Sequence, residues 1–347
     1  MKLQSEWQES LMPADHHYFG NCHASTLVAL PNDQLLVAWF AGQKEGSGDT
    51  AIWLARRSQD SWSVPQRVVA QDGLAHWNPV LHRQHGRIWL FYKVGPDVHH
   101  WTTRLVTSDD DGVSWSSPQQ LVEGDSRPRG PVKNKLLVMS NGQWLAPSSV
   151  EDDRYWDAFV DISNNAGKQW QSVAIPLVHE TPENASQDQM WQGLQQDALW
   201  ENDLSRVFQW DGVIQPTAWE STSGHIHLLM RSTRGRIYRS DSSDFGQHWT
   251  VAYPTELPNN NSGIDLVHLG EGKLVLVYNP IPGNWNRRYP LSVAYSADNG
   301  LTWEKQCDLE SETGEFSYPA IVVERENIHI TYTWNRKNII YQRICPK

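Results

Sequence analysis

Five cationic side chains in this 347-residue chain close apolar segments or follow turn-rich loops. Lys93 ends WLFYK, Arg231 ends LLMR, Arg287 and Arg288 follow NPIPGNWN, and Arg336 follows YTWN. In a chain of net charge −11, cations placed this way suggest capture of an anionic group. A planar carboxylate suits bidentate arginine. For any one of them alone, the competing reading is a surface salt bridge. A second set is polar where apolar residues would pack better: His23, Asn78, Lys133 with Lys135, Gln215, Asp265 and Tyr318. Burying such groups is costly unless they meet partners or a ligand. One occurs in each of six segments, which favours a polar, ligand-binding axis over six unrelated structural accidents.

The elements that must carry these residues are announced by a repeat. Ser108–Trp115 (SDDDGVSW), Ser163–Trp170 (SNNAGKQW), Ser242–Trp249 (SSDFGQHW) and Ser296–Trp303 (SADNGLTW) all read S-x-[D/N]-x-G-x-x-W. A fifth stretch, Ser58–Trp62, keeps the serine, acid and tryptophan but has no glycine. The five tryptophans are separated by 53, 55, 79 and 54 residues. A fixed period of this length marks a repeat architecture. In each copy the acid or amide is expected to cap a tight turn and the glycine to supply a positive φ. The tryptophan is expected to bury its ring between neighbouring units.

Between the repeats lie alternating apolar segments, the signature of strands. They fall in six sets: 23–30, 34–41 and 50–57; 77–82, 86–94 and 101–108; 131–139, 142–149 and 156–163; 213–219, 224–231 and 235–242; 262–269, 272–279 and 290–296; 317–324, 326–333 and 337–344. Asn32-Asp33, Asn141-Gly142 and Glu271-Gly272 supply hairpin turns. Six such units predict an all-β, six-bladed β-propeller, one domain over residues 1–347. Residues 1–18 are expected to add a closing strand to the last unit. The long step places an insertion at about 177–211, which reads as a short amphipathic helix or an active-site flap.

Bulk properties narrow the partners. No block of Lys or Arg stands out, which argues against nucleic acid. Cys22, Cys307 and Cys345 form neither a disulfide framework nor a C-x-x-C metal pattern. No metal or cofactor is expected. No run of 18 apolar residues and no secretory leader is present, so a cytoplasmic protein without a membrane span is the expectation.

The S-x-D-x-G-x-x-W boxes are identified as Asp boxes, and residues 19–345 resemble the sialidase (neuraminidase) superfamily. That resemblance implies three arginines on a substrate carboxylate, a Tyr/Glu nucleophile pair and an Asp acid/base. Arg231 and Arg288, with Arg287 beside it, match two of the arginines. His23 stands at the place of the first, in CHASTLVALP. Asp49, with Glu45 nearby in QKEGSGD, matches the acid/base. The nucleophile motif aligns with Phe316-Ser317-Tyr318-Pro319-Ala320, which puts Phe316 in register and Tyr318 two residues on. Val213-Ile214-Gln215 offers no acid where the glutamate is expected.

The set that remains is similar to that of propeller uronate lyases, including ulvan lyases and rhamnosyl-glucuronate lyases, which use His, Tyr and Arg. A carboxylate held by Arg231 and Arg288 would stabilise charge developing beside it. His23 and Tyr318 would then abstract the α proton and protonate the leaving oxygen. The expectation is therefore cleavage of a glycosidic bond in an acidic oligosaccharide or polysaccharide, with β-elimination favoured. Exo-sialidase hydrolysis and non-catalytic glycan binding are the alternatives. The remaining polar and cationic residues, Glu45, Asn78, Lys93, Lys133, Lys135, Gln215, Asp265, Arg287 and Arg336, are expected to contact substrate.

Overall fold

In the computed structural model, every regular element among the described residues, 2–180 and 210–346, is a β-strand. The expected helix or flap falls on 181–209, outside the described residues. The chain forms two compact units, residues 1–135 with 318–347, and residues 136–317. The second boundary falls inside the strand Phe316–Glu324.

The first unit contains two complete antiparallel sheets and nearly all of a third. Asn21–Leu30, Gln34–Gly42 and Ala51–Ser58 run in order, with Ser61–Trp62 and Gln66–Val69 on the outer edge. Ala75–Gln84, Arg87–Gly95, Thr102–Ser108 and Gln119–Gln120 form the next. In the last, Phe316–Glu324, Asn327–Trp334 and Asn338–Pro346 are joined by Leu3–Ser10, which pairs Ser10 with Ile340. The closing strand expected from the N-terminal residues is thus present.

The second unit follows the same plan. Leu137–Val138, Trp144–Glu151, Tyr155–Ser163 and Gln171–Ala174 form one set. Asp211–Thr222, His225–Ser232, Arg236–Ser242 and Tyr253–Pro258 form the next, and Asp265–His268, Leu274–Tyr278, Leu291–Ser296 and Glu304–Glu310 the last. A short parallel contact, Tyr155 to Asp211 and Trp156 to Gly212, joins the first two sets.

The strand expected over 131–139 is paired only at Leu137–Val138. Lys133 has φ +70°, and Asn134 N–H closes onto Val132 O at 2.8 Å. That tight local turn takes the backbone out of a ladder. The hairpin turns behave as expected: Asn32, Asp33, Glu271 and Gly272 all have positive φ, the requirement of a tight turn between twisted strands.

Each Asp box is a self-capped turn. Ser108 Oγ donates to Asp110 Oδ1 at 2.7 Å and accepts from Gly112 N at 2.8 Å, while Asp110 Oδ1 accepts from Ser114 N at 2.9 Å. Ser242 with Asp244, and Ser296 with Asp298, repeat the pattern. Asn165 replaces the carboxylate in the second copy. Burial works against ionisation of Asp244 and Asp298, but the hydrogen bonds outweigh it and hold both carboxyls at about 2. The box glycines have φ of +81° to +86° in three copies and +77° in the fourth. Trp115, Trp249 and Trp303 pack partly buried against the cores of their own units. The fifth copy turns differently, with Gln59 and Asp60 both left-handed and Trp62 Nε1 bonded to Glu9 Oε1 at 2.9 Å.

Gly212 is the position where the fold tolerates least. A Cβ there would lie 1.9 Å from Trp156 O, in the backbone contact that bridges the insertion. Gly86, with φ +82°, has open space around the same atom. We expect Gly212→Ala to destabilise the protein by more than about 4 kcal/mol, beyond the range of ordinary substitutions. Gly86→Ala should cost only the left-handed conformation, about 1 kcal/mol. Denaturant unfolding of the two variants checks the difference.

Candidate active site

The polar residues singled out on the inner strands share a backbone feature. Asn78, Lys133 and Tyr318 have φ of +42°, +70° and +53°, and Ala24, next to His23, has +55°. In the second unit Gln215 has +53°. Pairing slips at the same places: between His23 and Thr26, Trp77 and Val80, and Ile214 and Thr217. Each is a bulge with a left-handed residue, a device that re-aims a side chain out of the strand's alternation. Left-handed backbone at residues with a Cβ is unfavourable and persists where the surroundings enforce it. Asp265 is different. It pairs regularly with Val277, and its Oδ1 accepts from Thr217 Oγ1 at 2.7 Å.

In the first unit His23, beside the left-handed Ala24, and the left-handed Tyr318 meet. Their ring centroids are 4.0 Å apart, with the planes inclined at 45°. His23 is buried, its Nδ1 2.9 Å from Thr333 Oγ1, and its ring meets Phe40 edge-on at 5.8 Å. The same Thr333 hydroxyl accepts from Ala24 N at 3.2 Å, so one side chain fixes both the ring and the bulge. Tyr318 is half-buried, whereas Phe316, in register with the nucleophile motif, is buried. Lys133 Nζ donates to Asn134 Oδ1 at 2.8 Å and to the carbonyl of Pro319, the residue after Tyr318.

The other candidates of this unit are held by protein groups. Lys93 is fully buried and donates to Thr103 Oγ1 and Arg129 O, each at 2.5 Å. Glu45 and Arg336 form an ion pair, and Arg336 O accepts from Cys22 N at 2.8 Å. Asn78 is buried and Lys135 half-buried. Asp49 is exposed and caps its own loop, accepting from Gln43 N at 3.0 Å and from Ser47 Oγ. The Ser47 hydrogen bond holds its carboxyl below the usual range. A general acid requires the opposite shift.

In the second unit Arg231 is buried. Its Nε donates to Asn261 Oδ1 at 2.9 Å, its Nη1 to Gln215 Oε1 at 3.2 Å, and its guanidinium lies 5.9 Å from the centre of the Trp156 ring. Gln215 therefore serves as an acceptor where the resemblance expects an acid. Arg288 Nη1 meets Glu315 Oε1 at 2.8 Å and Ser317 Oγ at 3.3 Å. Arg287 is exposed, with its guanidinium 5.2 Å from the centre of the Tyr289 ring.

Two groups here escaped the sequence reading. Glu315, the partner of Arg288, directly precedes the nucleophile-like motif, and that adjacency was the available signal. Asp211 takes both Nε and Nη2 of Arg234, at 2.8 and 2.7 Å, and also meets His179 Nδ1 and Glu180 N. This clamp ties the two described ends of the insertion and has no repeat to announce it. Among the described residues no group of three or more His, Cys, Asp or Glu is arranged to hold a metal ion.

A family model described as BNR repeat-like domain matches residues 33–330. A sialidase of Bacteroides fragilis (strain YCH46) is 24% identical over 326 residues, covering 88% of this chain and 51% of that protein. The chain thus spans about half the length of this curated relative. Among solved structures, Hadza microbial sialidase Hz136 aligns with a TM-score of 0.72 at 16% identity, over 97% of this chain and 68% of its own. A Dyadobacter fermentans DSM 18053 protein of unknown function aligns over the whole of both chains, with a TM-score of 0.74 at 12% identity. Trypanosoma rangeli sialidase gives 0.68 at 13%, over 93% of this chain and 54% of its own. At these identities the likeness concerns the fold, which is the sialidase-type six-bladed β-propeller.

Lys133 offers a direct test of the contacts that hold the turn beside Tyr318. Lys133→Met leaves the Pro319 carbonyl and the Asn134 side chain without this donor. Unsatisfied buried polar groups cost about 1–3 kcal/mol each. We expect a loss of about 2–4 kcal/mol in unfolding free energy, measured by denaturant titration.

Proposed function

The chain belongs to the BNR repeat-like family, and from that premise we propose that it cleaves a glycosidic bond at a carboxylate-bearing sugar, by β-elimination at a uronate. The observation that carries this reading is the His23–Tyr318 pair, two proton-transfer groups in ring contact at 4.0 Å. His23 lies beside the left-handed Ala24, and Tyr318 is itself left-handed. One takes the proton α to the carboxylate, the C–O bond to the leaving sugar breaks, and the other donates a proton to the leaving oxygen. The product carries a double bond conjugated with the carboxylate. A cation on the carboxylate would stabilise the enolate-like transition state.

Three features favour elimination over hydrolysis. Asp49 is an exposed turn cap with a lowered pKa, unlike the raised acid a glycosidase uses. By the resemblance, Gln215 stands where a glutamate is expected. Phe316, in register with the nucleophile, has no hydroxyl. The second reading, hydrolysis of a sialoside, is supported by the sialidase name of the Bacteroides fragilis relative.

The protein is incubated with a glucuronate-containing oligosaccharide and with a fluorogenic sialoside. Elimination predicts a rise in ultraviolet absorbance from the first and no release from the second. His23→Ala and Tyr318→Phe are each expected to lower the rate by about 10²–10⁴-fold, the usual contribution of a general acid or base. Full activity in either variant would remove that residue from the mechanism. Binding without cleavage would favour a glycan-binding propeller.

A further inference from the structure

A second constellation lies at the other end of the paired strands Asp211–Thr222 and His225–Ser232 from Gln215 and Arg231. Ile214 pairs with Arg231 at one end, while His227 pairs with Asp241 near the other. There Ser221 Oγ is 2.8 Å from His227 Nε2, and His227 Nδ1 is 2.5 Å from Asp241 Oδ1. We infer that Ser221, His227 and Asp241 form a separate acyl-hydrolase centre for short-chain carboxylic esters, an activity that goes beyond glycan cleavage. A hydroxyl within hydrogen-bond reach of an imidazole that is itself oriented by a carboxylate is the signature of an activated serine.

The surroundings fix each member. Register slips between Glu220 and Thr222, so Ser221 is the extra residue of a bulge, which turns its hydroxyl onto the imidazole. Trp219 stacks on the His227 ring at 4.9 Å and 28°. Asp241 is held by Tyr253 OH at 2.6 Å and Arg239 Nε at 2.9 Å. Arg239 Nη2 also lies 3.1 Å from His227 Nδ1. The shorter contact decides the tautomer, because a bare ring nitrogen and a carboxylate oxygen repel at 2.5 Å. Nδ1 therefore carries the proton, and Nε2 presents its lone pair to Ser221. Asn299, oriented by Trp219 Nε1 on its Oδ1 at 2.7 Å, places an amide donor 3.2 Å from Nε2. That amide competes with Ser221 for the Nε2 lone pair over the longer contact. Ser221 is half-buried and Tyr253 exposed, so a small ester has access from solvent.

The chemistry balances without a cofactor. Ser221 Oγ attacks the acyl carbon while His227 Nε2 takes the hydroxyl proton, and Asp241 faces the resulting imidazolium. The ester C–O bond breaks, and the alcohol leaves with the proton from Nε2. Water then attacks the acyl-serine, passing its proton through His227 to Ser221, and the carboxylic acid is released.

The test treats the whole chain with a serine-directed fluorophosphonate and maps the adduct by peptide mass spectrometry, alongside p-nitrophenyl acetate hydrolysis. The expected result is an adduct on Ser221, no adduct in Ser221→Ala, and ester hydrolysis lowered by at least about 100-fold in that variant. Uronate cleavage should be unchanged. No adduct on Ser221 of the unsubstituted protein, or undiminished ester hydrolysis by Ser221→Ala, overturns the proposal. The mapping on the unsubstituted chain decides the matter even if the variant folds poorly.

Discussion

The left-handed step in the inner strands is the constraint on which the rest depends. Asn78, Gln215 and Tyr318 adopt it although each carries a Cβ. A regular strand would send these side chains alternately to the two faces of a sheet. The bulge breaks that alternation, and hydrogen bonds from adjoining segments hold it. Thr333 Oγ1 accepts from Ala24 N, Thr26 Oγ1 accepts from Leu81 N at 3.1 Å, and Lys133 donates to Pro319 O. Within the second unit Thr217 Oγ1 donates to Asp265 and accepts from Leu266 N. The backbone cost of each bulge is offset by bonds that also stitch neighbouring strands.

The Asp boxes serve a different end of each sheet. In the second sheet the bulge lies where Trp77 pairs with Lys93 and Lys93 with Thr103, while the box begins at Ser108 opposite Ile88. The box glycine sits against a neighbouring core: a Cβ on Gly112 would fall 2.8 Å from Leu36, and one on Gly246 3.1 Å from Leu145. Asn299 O accepts from Arg239 Nη1 at 2.9 Å, so the preceding sheet grips the turn. The boxes therefore secure packing between sheets and leave the inner strands free to vary.

Most of the architecture was legible because alternation and turn chemistry are local. The strand sets, the hairpin pairs and the closing N-terminal strand all follow from patterns within about ten residues. The stretch 131–139 reads as a full strand because it ends in the apolar run Leu136–Met139, but the turn at Lys133 and Asn134 keeps its first half out of the ladder. His23 and Tyr318 were legible as polar intrusions in apolar segments. The tie of Lys93 to Arg129 O was not, since a lysine closing an apolar strand looks the same whether it meets a ligand or a carbonyl. Glu315 with Arg288, and Ser221 with His227 and Asp241, depend on register and bulges that no spacing in the chain displays.

The central claim is that His23 and Tyr318 break the glycosidic bond by moving protons, without adding water to the sugar. Mass spectrometry of both fragments after cleavage of a uronate-containing oligosaccharide tests this directly. Elimination predicts that the two fragment masses sum to that of the substrate, with one fragment carrying an unsaturated sugar at its non-reducing end. Two saturated fragments whose masses together exceed the substrate by one water would contradict the account and establish hydrolysis.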